Sequence, residues 1–137
     1  ALALPAAPVM VALDRGKALQ ALRNVLSNAY KYSPEGGAVA VTLAVEHGQA
    51  VVAVRDHGIG MTPEAVRRVC ERFFRADTSG SIPGTGLGMA IVKEIVDLLG
   101  GRLAIESAPQ QGTTVRIVLP LAAEPAPLAE AVEPAPL

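Results

Sequence analysis

Apolar and polar residues change period several times along the chain, and each change marks an element. Residues 9–13 form a short β-rich run, and Asp14 follows at the position of a helix N-cap. In the predicted helix beyond it, Leu19, Leu22, Leu26 and Ala29 share an apolar face, whereas Gln20, Asn24, Asn28 and Lys31 line another. Ser33-Pro34-Glu35-Gly36-Gly37 stops it with strong breakers. Residues 38–46 and 49–55 are alternating, β-branched runs on either side of His47-Gly48, the pattern of a β-hairpin with His47 in its turn. Thr62-Pro63-Glu64 opens a short helix reaching about Arg72, with Thr62 as N-cap, Pro63 at the first helical position and Cys70 packing on it. Met89, Ile91, Val92, Ile95, Val96, Leu98 and Leu99 keep a broad apolar face at helical spacing until Gly100-Gly101. Residues 102–107 and 113–119 are two further strands joined by 108–112. Roughly five strands and three helices, segregated along the chain, predict an α+β two-layer sandwich.

Composition narrows the class. With 137 residues, 50% of them hydrophobic, the chain can build one domain with a real core and is too short for two. A net charge of −1 with 18% charged residues provides no basic field for nucleic acid or an anionic membrane, so no nucleic-acid partner is expected. One cysteine excludes an internal disulfide, and no Cys/His cluster has metal-ligand spacing. No apolar run approaches the roughly 20 residues that span a bilayer, which suggests a soluble, cytoplasmic, monomeric piece. The Pro-interrupted opening without Met reads as a cut in a longer protein, making residues 1–8 a linker remnant. Residues 121–137, almost all Ala, Pro, Leu and Glu, read as a disordered tail, which leaves 9–120 as the domain.

Three places carry candidate chemistry. Gly84-Thr85-Gly86-Leu87-Gly88 feeds a helix N-terminus, where unpaired N–H groups and the helix dipole favour an anion such as phosphate. A mobile hinge before a core helix is the alternative. Asn24 and Asn28 stand one turn apart, and their amide oxygens are hard ligands suited to Mg²⁺, with Lys31 able to reach the same phosphates. The alternative is a solvated helix face. Asp56-His57-Gly58-Ile59-Gly60 puts a carboxylate at a strand end, where it can accept from an exocyclic amine, while Gly60 permits close approach to a flat ring. An ordinary Asp-Gly turn would look the same. Phe73-Phe74 reads as core or as a latch, and the polar stretch 75–83 as a mobile lid.

Taken together, Asn24-Val25-Leu26-Ser27-Asn28-Ala29-Tyr30-Lys31-Tyr32, Asp56-His57-Gly58-Ile59-Gly60, Glu71-Arg72-Phe73-Phe74-Arg75 and Gly84-Thr85-Gly86-Leu87-Gly88 resemble, in order and spacing, the N, G1, F and G2 boxes of one family. That family is the catalytic ATP-binding domain of bacterial two-component sensor histidine kinases, in the wider GHKL group that includes gyrase and MutL. The resemblance covers about residues 9–120. It implies the Bergerat fold, a mixed five-stranded sheet backed by three helices. It implies ATP and Mg²⁺ as cofactors, with Asn28 on the metal, Asn24 beside the same cluster and Lys31 on phosphate. Tyr32 and Phe74 would lie at the nucleotide, and Asp56 would accept from the adenine amino group with Gly58 and Gly60 shaping the pocket. Gly84, Thr85, Gly86, Leu87 and Gly88 would offer backbone N–H groups to the phosphates. Arg75 and Lys31 would stabilise charge on the transferred phosphoryl group.

Departures from the family pattern refine this expectation. Thr78-Ser79-Gly80-Ser81-Ile82 stands where family lids carry further basic residues, Pro83 replaces a usual glycine, and Met89 replaces a common leucine. Hydrolysing relatives place a Glu one turn before the metal-binding Asn as general base; here that residue is Asn24, which favours a kinase over an ATPase. His47 and His57 are each followed by Gly, so the acceptor histidine is expected on a separate dimerisation domain of the same parent kinase, with a response regulator as next recipient. An anti-sigma-factor serine kinase and a non-catalytic nucleotide sensor are the alternatives.

Overall fold

A computed structural model describes residues 2–3, 15–33, 36–74 and 88–121. Among these residues, five strands, β1 (Leu2–Ala3), β2 (Ala40–Glu46), β3 (Gln49–Arg55), β4 (Arg102–Ser107) and β5 (Thr113–Pro120), form one sheet in the order β1-β2-β3-β5-β4. Three helices among the described residues accompany it: α1 (Arg15–Lys31), α2 (Pro63–Arg68) and α3 (Gly88–Leu98). The sheet is mixed, because β1 runs parallel to β2 while every other pair is antiparallel. This is the α+β sandwich expected from the pattern of elements.

Local chemistry sets most boundaries. β2 and β3 meet at a two-residue turn in which His47 and Gly48 have φ of 53° and 73°, the paired left-handed conformations that match the twist of a hairpin. Thr62 caps α2, its hydroxyl accepting from the Ala65 N–H at 3.1 Å, with Pro63 opening the helix. α3 ends in a Schellman motif: the Gly101 N–H reaches the Val96 carbonyl at 2.9 Å and the Gly100 N–H reaches Asp97 at 3.1 Å.

One face of the sheet carries the core. Val115, Ile117 and Leu119 of β5 and Val54 of β3 point at α1 and α3, joined by the half-buried Val41, Val52, Leu103 and Ile105. Val25 of α1 and Val92 and Val96 of α3 are fully enclosed, each side chain worth about 1.5–3 kcal/mol of apolar burial.

Four expectations change. Leu2–Ala3, read as linker, pairs with Val41 and Thr42 of β2. The buried stripe of α1 is Ala21, Val25 and Ala29, while Leu19 is exposed, because the short side chains let α1 approach α3 and the sheet. α2 stops at Arg68, four residues earlier than the polar pattern suggests, and Phe73 turns outward, exposed at φ 67°. Phe73 is therefore not core. The predicted strand at 9–13 and Asp14 lie outside the described residues, as do 34–35, 75–87 and 122–137.

Candidate functional site

The site begins where α1 runs out. The Ser33 hydroxyl donates to the Ala29 carbonyl at 2.8 Å, satisfying one of the orphan acceptors of the helix end, and the Gly36 N–H then donates to the Ser33 carbonyl at 2.8 Å. This leaves the Tyr32 carbonyl facing the segment after β3, where it accepts from the Ile59 N–H at 3.0 Å. Gly58 makes that approach possible: a Cβ there would stand 1.8 Å from the Tyr32 oxygen.

Asp56 directly follows β3 and is buried, only 6% exposed. Its Oδ1 accepts from the Gly58 N–H at 2.9 Å and from the Thr113 N–H at 3.2 Å, while its own N–H donates to the Thr113 carbonyl at 2.9 Å. Burial pushes the carboxyl upward from the ordinary 3.8, opposed by the Gly58 and Thr113 N–H groups and the neighbouring His57. The His57 Nδ1–H donates to the Ala38 carbonyl at 3.1 Å. Because a carbonyl only accepts, that contact places a proton on Nδ1.

The loop closes against the β4–β5 turn. Gly60 has φ +68°, and a Cβ there would meet the Ala108 carbonyl oxygen at 1.9 Å. The Gln110 N–H donates to the Ile59 carbonyl at 2.6 Å, and the Met61 N–H donates to Ser107 Oγ at 2.8 Å.

α3 supplies the third side. Gly88 opens it, and a methyl on Gly88 would lie 3.7 Å from Oδ1 and 3.9 Å from Nδ2 of Asn28. The Asn28 amide thus sits at the N-terminus of α3, where unpaired N–H groups and the positive dipole end gather. Asn24, one turn earlier, is half-buried like Asn28, and Lys31 is exposed at the last position of α1. Phe74 is half-buried with the Arg68 guanidinium 4.6 Å from its ring centre, and Arg68 also bonds Glu71 at 3.0 Å. Arg72 pairs with Glu94 of α3.

Of the residues singled out by sequence, Asn28 and Gly88 come together, as do Tyr32, Asp56, Gly58 and Gly60. Arg75, Gly84, Thr85, Gly86 and Leu87 lie outside the described residues. Ser107 and Thr113 belong to the site and were not singled out. The signal was present: both occupy inward positions of strands whose other inward residues, Leu103, Ile105, Val115 and Ile117, are apolar.

Among the described residues no group of three or more His, Cys, Asp and Glu side chains could hold a metal ion. No helix among them is long and apolar enough to cross a membrane.

Residues 13–123 match the model of the histidine kinase-, DNA gyrase B- and HSP90-like ATPase family. The sensor histidine kinase WalK of Bacillus subtilis is 40% identical over 121 residues, spanning 85% of this chain and 20% of its own length. The chain thus spans about one-fifth of the curated relatives it matches. A solved structure of the mycobacterial sensor histidine kinase MprB superposes with a TM-score of 0.78 at 39% identity, covering 88% of this chain and 82% of that one. A structure of full-length ShkA in complex with AMPPNP has a TM-score of 0.77 at 32% identity, covering 93% of this chain and 26% of that one. By sequence and by fold, the chain belongs to the histidine kinase-, DNA gyrase B- and HSP90-like ATPase family, alongside the ATP-binding catalytic domains of sensor histidine kinases.

Proposed function

We propose that the chain binds Mg-ATP and transfers the γ-phosphoryl group to a histidine on a separate helical hairpin of its parent kinase, from which a response-regulator aspartate receives it. Two observations carry the reading, the buried carboxylate of Asp56 and the Asn28 amide at the N-terminus of α3. One group suits a base edge and the other the phosphate end of a nucleotide. The ShkA complex with AMPPNP supports the same ligand class.

In this reading Asp56 accepts from the adenine amino group, and Gly58 and Gly60 keep the loop close enough for a flat ring to lie beside Tyr32. Asn28 holds Mg²⁺ with Asn24 beside it; the ion, when bound, neutralises charge on the phosphates. Lys31 and the N–H groups of Gly84, Thr85, Gly86, Leu87 and Gly88 would contact phosphate, Phe74 would border the nucleotide, and Arg75 would stabilise charge on the transferred group. A nitrogen of the acceptor histidine attacks the γ-phosphorus, the bond to the β–γ bridging oxygen breaks, and ADP leaves. Asn24 in place of a carboxylate base leaves water poorly activated, which preserves the phosphoryl group for histidine.

Titration calorimetry with ATP tests the site. Asp56→Asn and Asn28→Ala are each expected to weaken binding by ~1–3 kcal/mol, the scale of a lost charged hydrogen bond or buried partner. Unchanged affinity in both variants would overturn the assignment.

A further inference from the structure

Ser107 Oγ lies at the meeting point of three segments. It contacts the Met61 N–H at 2.8 Å, the Gly112 carbonyl at 2.9 Å and Thr113 Oγ1 at 2.8 Å. Proton counting assigns every direction. The Gly112 carbonyl only accepts, so the single Ser107 hydroxyl proton goes there; the Thr113 hydroxyl must then donate to Ser107, and the Met61 N–H donates to the remaining lone pair. Ser107 is saturated, so it has no capacity left to read a ligand itself.

What it holds is the frame around Asp56. Thr113 gives Asp56 Oδ1 a backbone N–H at 3.2 Å and accepts the Asp56 N–H at 2.9 Å. Met61 ends the loop that begins at Asp56, and the Gln110 N–H to Ile59 carbonyl bond at 2.6 Å ties the middle of that loop to the same turn. Both ends of the loop therefore hang on residues that Ser107 joins. We propose that Ser107 is a positioning residue for base selectivity, acting through Thr113 and Met61 to aim the Asp56 carboxylate. The proposal rests on the nucleotide reading above. A carboxylate attracts the amino group at the six-position of adenine and repels the carbonyl oxygen of guanine there, so its aim sets the preference for ATP over GTP.

The test is calorimetric titration of the whole chain with ATP and with GTP, each in excess Mg²⁺. Ser107→Ala is expected to lower ATP affinity about tenfold, the scale for losing one buried hydrogen-bond partner. GTP affinity, carried by the phosphates, should fall less than about threefold, so the ATP-to-GTP ratio contracts. Ser107→Thr keeps the hydroxyl and should return the ratio to within about threefold of wild type. Thr113→Val removes one hydroxyl donor while keeping the backbone bonds to Asp56, and should move the ratio in the same direction even if Ser107→Ala fails to fold. A ratio unchanged in Ser107→Ala and Thr113→Val, or equal losses for both nucleotides, would overturn the proposal while leaving the nucleotide site intact. Wild-type protein with no ATP preference would overturn the nucleotide reading and this proposal together.

Discussion

Replacing Gly58 with alanine adds one methyl at the contact that seats the Asp56 loop on the end of α1. The new Cβ would stand 1.8 Å from the Tyr32 carbonyl oxygen, 2.7 Å from its carbon and 2.8 Å from Ser33 Oγ, where real Cβ atoms keep at least 3.0 Å. The two segments must part by about 1.2 Å to relieve this, and the Ile59 N–H to Tyr32 carbonyl bond at 3.0 Å cannot survive such a shift. The lost bond costs ~0.5–1.5 kcal/mol and the forced repacking ~1–3 kcal/mol, together about 1.5–4.5 kcal/mol. At ~4 °C per kcal/mol for a domain of this size, the melting temperature should fall by about 6–18 °C. Gly48→Ala is the matched control. Nothing lies within 4 Å of its Cβ and its φ is +73°, so only the left-handed backbone penalty applies, ~1 kcal/mol or about 4 °C. Thermal melts followed by circular dichroism compare the two directly. If Gly58→Ala melts no lower than Gly48→Ala, the packing of the Asp56 loop on Tyr32 is not as described.

Three further outcomes follow from the same geometry. Asp56→Asn keeps an Oδ1 acceptor for Gly58 and Thr113 but removes a buried charge, so the nucleotide-free variant should melt higher than wild type near pH 7 even as it loses ATP affinity. The pH dependence has a definite sign: the folded pKa of Asp56 is raised, so its contribution is fully present below 3.8 and is lost as pH rises through the folded value. Glu106, lowered by Arg116, acts oppositely in both proteins, so the wild-type-minus-variant melting difference should decline with rising pH, and a flat difference would contradict it. Asn28→Ala should lose its ~1–3 kcal/mol of ATP affinity only with Mg²⁺ present, and titrations in chelator should make it indistinguishable from wild type. Thr62→Ala removes the α2 cap and should cost ~1 kcal/mol in urea unfolding without changing ATP affinity.

Elements set by local chemistry were legible in the sequence. His47-Gly48, Thr62-Pro63 and Gly100-Gly101 each demand one backbone solution, and the hairpin, the α2 cap and the α3 terminus appear where those residues stand. Decisions made by distant partners were harder to read. Leu2–Ala3 has no strand signal of its own and pairs only because β2 offers it an edge. The inward side of α1 runs through Val25 rather than Leu19 because the approach of α3 favours short side chains, a fact about the partner helix. Phe73 looked like core because of its type, yet the turn after α2 puts it in a left-handed conformation facing outward. In the candidate site, Asp56 was legible as a carboxylate at a strand end followed by glycines. Its partner Thr113 lies 57 residues away and Ser107 lies 46 from Met61, separations that no local pattern bridges.

Phosphoryl transfer to histidine is the step that can be measured most directly. The direct measurement is incubation of this chain with γ-labelled ATP, Mg²⁺ and the purified helical hairpin that carries the acceptor histidine, followed by chemical typing of the labelled bond. Label is expected on the hairpin in an acid-labile, base-stable bond, lost when Asp56→Asn replaces the wild-type chain. Label on serine would point instead to a serine kinase of the anti-sigma type, and ATP binding with no transfer to a nucleotide sensor. Either result would rule out transfer to histidine as this chain's activity.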